Sequence, residues 1–297
     1  MRGARHRSTL AIMQLLQPTP LQYFASLVVE DASFALTEAA ITIAQDEYPR
    51  LDVQAVLAQI DEMAHRLRRR IPSDCAPLQK LRYLNRYLFT ELGFAGNLND
   101  YYNPANSYLH EVLNQRRGIP ISLGILYMEI ASQIGLSARG VSFPGHFLVK
   151  LRMPLGEVVI DPLSGRSLAR EELEDRLEPY RKRVGLTGDF DVPLGLFLQA
   201  ADPREVVARM LRNLQEIHRG AEDWARLLTV QQRLVVLLPT GWEERRDRGL
   251  TLAQLGQNDA AIDDLDAYLR HVKKAPDRDR IANRLASLRE AGPTRWH

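Results

Sequence analysis

The chain has 297 residues, 45% of them hydrophobic and 26% charged, with 18 Gly and 16 Pro, which places it among ordinary globular proteins of one or two domains and excludes collagen, coiled coil and wholesale disorder. Its 39 Lys and Arg against 37 Asp and Glu leave a net charge of +2, too small a surplus to make nucleic acid the expected partner. A single cysteine, Cys75, excludes an internal disulfide and a paired-cysteine metal cluster, no apolar run approaches the ~20 residues of a membrane span, and a cytoplasmic protein is expected.

Arg2, Arg5 and Arg7 ahead of the apolar stretch 10–16 superficially resemble a signal peptide. Gln14 and the Gln17-Pro18-Thr19-Pro20 segment break that pattern, and no small-residue cleavage site follows. Residues 1–20 are read as an N-terminal extension, expected to be disordered, and its first dozen residues either belong to that disordered part or lie upstream of a start at Met13. From 32 to 70 the apolar spacing predicts two helices, one through Phe34, Leu36, Ile41 and Ile43 and one through Val53, Val56, Leu57, Ile60 and Met63. Pro49 separates them and Asp52 is the expected N-cap. The second ends in Arg66, Arg68, Arg69 and Arg70, which reads as a solvated face complementing the helix dipole more readily than as a phosphate or lipid site. Ser73 or Asp74 is expected to cap a third helix with Leu78, Leu81, Leu84 and Leu88 on one side, stopped by Gly93.

The stretch 96–107, rich in Asn, Gly and Pro, must be a loop. Its Tyr101, Tyr102, Asn103 and Asn106 suit a binding site, and equally a surface turn held by side-chain-to-backbone bonds. A short helix through Leu109 and Leu113 follows. Pro120 then opens a helix over 121–134 that is apolar almost all round, as a helix buried in the centre of a domain should be, and Gly135 fits its C-terminal stop. Three short strands, 138–143, 147–151 and 158–160, are separated by Pro144-Gly145 and Pro154-Leu155-Gly156, which predicts an antiparallel meander. A central helix against a small sheet is an α+β core. Another helix is expected over 168–183 and a linker over 185–202. From 203 only helices are expected, with residues 221–239 resembling 258–276 at an offset of 36 or 37. The domain division is therefore an extension over 1–20, a helical part and core over 21–184, the linker, and a helical repeat region over 203–297.

Gly118-Ile119-Pro120-Ile121-Ser122-Leu123, the helix to Gly135, then Pro144-Gly145-His146-Phe147-Leu148-Val149 and Val159-Ile160-Asp161-Pro162 follow the order of the transglutaminase-like core. The chain as a whole resembles the bacterial SirB-type proteins, in which that core is followed by tetratricopeptide-like helices; Gly249, Gly256, Ala261 and Leu265 fit the repeat, and Trp224, Ala225 and Pro239 carry what the first unit keeps. The resemblance implies a cysteine nucleophile at a helix N-terminus, His146 as general base and Asp161 as the group that orients it. This sequence departs at the nucleophile, because Gly118-Ile119 is followed by Pro120. Ser122 is the nearest hydroxyl, but two residues along a helix rotate a side chain by about 200°, so Ser122 should face away from a site addressed by Pro120. Cys75, far upstream, is expected to be a small buried hydrophobe.

Two functions compete. The favoured one is a non-catalytic protein- or peptide-binding or regulatory module, with Tyr101, Tyr102, Asn103, Asn106, Pro120 and His146 at the binding groove. The alternative is an amide or ester hydrolase with Ser122, His146 and Asp161 as its triad. RNA or lipid binding through residues 66–70 is a weaker third reading. No zinc spacing, phosphate-cradling loop or dinucleotide fingerprint is present, so no cofactor is expected, and nothing in the spacing of His110, His146 and Asp161 requires a metal. Two repeat units fall below the number that stand alone, so the repeat helices should pack on the core.

Overall fold

The computed structural model describes residues 18–29, 34–186 and 192–290. The expectations for the extension up to Gln17, for Ala32, and for Thr187, Gly188, Asp189 and Asp191 of the linker lie outside the described residues. Four helices lead the chain: α1 (Pro20–Leu27), α2 (Leu36–Thr42), α3 (Val53–Arg68) and α4 (Pro77–Asn85). Thr19 caps α1 in a reciprocal pair with Gln22, its hydroxyl accepting the Gln22 amide at 3.2 Å while Gln22 accepts the Thr19 amide at 2.9 Å. Asp52 caps α3 as expected, accepting from the Ala55 amide at 3.1 Å. Of the basic run at its end, Arg66 is held by Glu62 at 2.7 Å and Arg70 by Glu91 at 2.6 Å.

Neither Ser73 nor Asp74 caps α4; Ala76 stands at its N-cap with no side-chain bond, and Pro77 supplies the preset backbone of the first turn. Leu81, Leu84 and Leu88 are buried, but Leu78, in the first turn of α4, is half exposed. Cys75 is half-buried in the preceding turn rather than enclosed. A π-helical turn over Arg86–Glu91 extends α4, and Gly93 leaves it at φ +71°.

The core is built on α6 (Pro120–Gln133) and a four-stranded antiparallel meander, β3 (Ala138–Val141), β4 (Leu148–Met153), β5 (Gly156–Asp161) and β6 (Arg166–Ser167), in sequential order. A short helix α5 (Leu109–Gln115) precedes α6, and two-residue strands β1 (Ala95–Gly96) and β2 (Arg117–Gly118) pair in parallel between α4 and α6. Alternation along the strands sends Val149, Leu151 and Ile160 to the face covered by α6, and Val141, Leu148 and Val159 to the face covered by Leu173 and Leu177 of α7 (Arg170–Val184). A sheet covered on both faces explains why these strands read as nearly continuous apolar runs.

Beyond a helical turn, α8 (Leu194–Phe197), come α9 (Pro203–Gly220), α10 (Trp224–Leu237), α11 (Trp242–Gln254), α12 (Asn258–His271) and α13 (Arg278–Glu290). The pair α10–α11 recurs as α12–α13, displaced by 34 residues at the first helix, Trp224 to Asn258, and by 36 at the second, Trp242 to Arg278. One offset from sequence cannot serve both helices because the loop between them differs in length. Gly249 lets Leu265 come close, since a Cβ there would lie 2.9 Å from its Cδ2, and Gly256 turns the chain at φ +72°. The repeat helices do not form a free arm. Val206, Val207, Met210 and Leu211 of α9 and Val230, Leu234 and Leu237 of α10 belong to the same apolar cluster as α6, while α11 to α13 share a smaller one. Arg233, 1% exposed, fastens α10 to the N-terminal helices through two bonds to Asp46, 2.6 and 2.9 Å. Among the described residues no helix is long and apolar enough to cross a membrane.

Phe147 sits where α6 meets the sheet, with its ring over two glycines. A Cβ on Gly124 would lie 2.7 Å from the ring and one on Gly140 2.6 Å from it. Gly124→Ala should therefore destabilise the fold by about 1–3 kcal/mol through overpacking, even though alanine is the better helix former by about 1 kcal/mol. Chemical denaturation of the two proteins checks the sign.

Candidate active site and the groove beside it

His146 is delivered by a tight turn between β3 and β4. Its amide donates to Phe143 O at 3.1 Å, with Pro144 and the positive-φ Gly145 at the two central positions. The next residue, Phe147, is the ring wedged against α6, so the imidazole is anchored by its neighbour's packing. Arg209 of α9 reaches in from the repeat side and donates to Phe143 O at 3.0 Å and His146 O at 2.8 Å. Burial pushes the Arg209 guanidinium below its ordinary value; the two carbonyls give its charge oriented acceptors there.

Asp161 ends β5, paired antiparallel to β4. Its Oδ1 lies 3.0 Å from His146 Nε2 and accepts the Leu163 amide at 3.1 Å, while its Oδ2 accepts from Arg176 of α7 at 3.1 Å. Burial acts to raise the Asp161 carboxyl, but the bonds from His146, the Leu163 amide and Arg176 outweigh it and hold the group at about 2. An ionised carboxylate only accepts, so Nε2 carries the proton in this pair and Nδ1 keeps its lone pair in the neutral ring. Nδ1 has no hydrogen bond among the described residues. The arrangement is that of an oriented base.

Behind Asp161 the turn to β6 is seated on α4 and α6: Asn85 donates to Gly165 O at 2.8 Å and accepts from the Tyr127 hydroxyl at 2.7 Å. Burial drives the Tyr127 hydroxyl strongly upward, so it stays a neutral donor.

Ser122 is fully buried in the first turn of α6. Its hydroxyl lies 2.6 Å from Asn106 O and 3.1 Å from Ile119 O, and it accepts the Ile119 amide at 3.2 Å. Its one proton is directed to a backbone carbonyl of the 96–107 loop, and among the described residues it makes no hydrogen bond to His146. Pro120, also buried, occupies the first helical position. Asn106 and Asn103 are built into the loop itself. Asn106 donates to Asp100 O at 2.6 Å and Tyr101 O at 3.2 Å and accepts from Asn97 at 2.9 Å, and Asn103 caps the turn Pro104–Ser107 through the Ala105 amide at 2.9 Å. Tyr101 and Tyr102 are exposed and meet edge to face at 5.5 Å. Tyr102 and Asn103 line a cavity of about 460 Å³ against the turn between α9 and α10. His110 is packed elsewhere, edge-on to Tyr48 at 4.4 Å, and no metal-holding group of three or more His, Cys, Asp or Glu occurs among the described residues.

Sequence reasoning missed Arg176 and Arg209. Arg176 follows Asp161 on a helix dense in both charges, where nothing distinguishes it from its neighbours. Arg209 left a weak trace, a charge between the apolar positions Val206, Val207, Met210 and Leu211.

A transglutaminase-like superfamily model matches residues 54–212 and a tetratricopeptide repeat model residues 214–286. The chain belongs to the transglutaminase-like superfamily. It is 37% identical over 261 residues to a UPF0162 protein of Xylella fastidiosa, covering 88% of this chain and 92% of that one, and 29% identical over 260 residues to one of Pseudomonas aeruginosa with the same coverage. Mouse F-box only protein 21 is 47% identical over 72 residues, 24% of this chain and 12% of its own length. No solved structure matches.

Asp161, with a value near 2 in the folded chain against an ordinary 3.8, contributes stability that is present above pH 4 and lost as pH falls toward 2. The stability gap between the parent and Asp161→Asn should narrow by about 2 kcal/mol from pH 5 to pH 2, measured by denaturant titration at each pH.

Proposed function

We propose that this chain is a non-catalytic, SirB-type cytoplasmic protein that binds a protein or peptide partner, with a helical part and core over 21–184 and repeat helices from 203. The observation that supports it most is the Ser122 hydroxyl. Its proton is given to Asn106 O at 2.6 Å, and Pro120 stands where the superfamily resemblance puts a cysteine, so among the described residues no side-chain hydroxyl or thiol is hydrogen-bonded to His146 for it to activate. A tetratricopeptide region at 214–286 adds a scaffold of stacked helix pairs, an architecture suited to holding a peptide segment.

The alternative, a hydrolase with Ser122, His146 and Asp161 in sequence, requires Ser122 to leave both carbonyls and reach Nδ1. The full chain, Ser122→Ala and His146→Ala should hydrolyse p-nitrophenyl acetate and an amide counterpart at one common background rate. A parent rate at least about 100-fold above both variants, the low end of what a positioned base supplies, would sink the binding-module reading and establish the hydrolase.

A further inference from the structure

The cavity beside Tyr102 lies at the junction of the core and the repeat helices, about 460 Å³ in volume, and is separate from the His146 pair. Tyr48, Tyr102 and Tyr108 supply aromatic walls, and His218 comes from the last turn of α9, Asp223 from the connection after it and Arg226 from the first turn of α10. His218 and Tyr108 are each 4% exposed, line the cavity, and hydrogen-bond through their side chains to none of the described residues. Burial keeps both neutral, pushing His218 down and the Tyr108 hydroxyl well up.

The charges around the cavity are unequal. Arg226 is bound on both sides, by Glu47 at 2.7 Å and by Asp223 at 2.6 Å. The Glu47 bond uses Oε1 alone, and its Oε2 has no hydrogen bond among the described residues. Glu111 stands behind Tyr48, 3.4 Å from His110, and Asp46 next to Glu47 is neutralised by Arg233. Among these groups carboxylates therefore outnumber guanidiniums, four to two. An apolar occupant would leave His218 and Tyr108 desolvated and unpaired, and an anion would face Glu47. A cation's donors match the acceptors that line the cavity: a carboxylate oxygen, a phenol oxygen, an imidazole lone pair and ring faces.

We propose that this junction cavity receives a lysine or arginine side chain of a protein partner, with Glu47 facing the cation and the rings of Tyr48, Tyr102 and Tyr108 lining its stem. The inference deepens the binding-module reading and rests on it for the occupant being a protein. It assigns the partner a basic segment and makes the site depend on core and repeat together.

The test is calorimetry of the full chain with four acetylated, amidated pentapeptides, identical except for a central Lys, Arg, norleucine or Glu. The Lys and Arg peptides should bind at least about tenfold more tightly than the other two, and lose about that factor in Glu47→Gln and in Tyr102→Ala, whose parent side chain is 77% exposed. Equal binding of all four peptides, tighter binding of the norleucine or Glu peptide, no binding at all, or unchanged affinity in both cavity variants overturns the proposal. The two readings fail separately: His146-dependent ester turnover removes the non-catalytic reading and leaves cation selectivity standing, whereas loss of selectivity without turnover removes only the cavity.

Discussion

The close approach of α6 to the sheet, made over the ring of Phe147, is the contact on which the rest depends. Gly124 on the helix and Gly140 on β3 leave the ring its space, since a side chain on either would enter it. Close-packed interiors transmit such a constraint, because neighbouring side chains have no free volume in which to yield. With Phe147 in place, the preceding residue is held just before the start of β4, and His146 meets Asp161 from the adjacent strand at 3.0 Å. The positions of both site residues are thus consequences of core packing.

The electrostatics follow from that placement. Asp161 is nearly buried and stays ionised because three donors converge on it, which in turn fixes the proton of His146 on Nε2. Arg176 and Arg209 do the work on either side, one on the carboxylate and one on the His146 carbonyl. Both arrive from helices after the sheet, so the His146 turn is completed by α7 and α9. Ser122 shows the opposite economy: its hydroxyl ties the 96–107 loop to the first turn of α6 and is consumed in doing so.

The repeat helices belong to the same structural unit as the core at their near end. The apolar cluster around α6 runs without interruption into α9 and α10, and the Arg233 to Asp46 pair ties α10 to the N-terminal helices there. A partner held on the first repeat therefore touches a surface whose shape is set jointly with the core. That continuity is the physical basis for placing recognition at the junction, beside the loop that carries Tyr101 and Tyr102.

Much of the architecture was legible because it is local. The all-round apolar stretch from Pro120 marked a central helix, the Pro-Gly breaks marked the meander and Asp52 marked a helix start, each from residues near one another in the chain, while the order of Gly118, His146 and Asp161 along the chain marked the transglutaminase-like core. Turn and cap details were less secure: α4 begins after Ala76, beyond both Ser73 and Asp74, because a cap competes with a proline that can start a helix without one. What only the tertiary structure decided is which groups meet. The carbonyl that takes the Ser122 proton is 16 residues away, the arginine on Asp161 is 15 away, and the one on His146 is 63 away. Periodicity carries which face of a helix is apolar, but a hydrogen bond between distant residues depends on the positions of whole elements, and those are set by the packing of side chains such as Phe147.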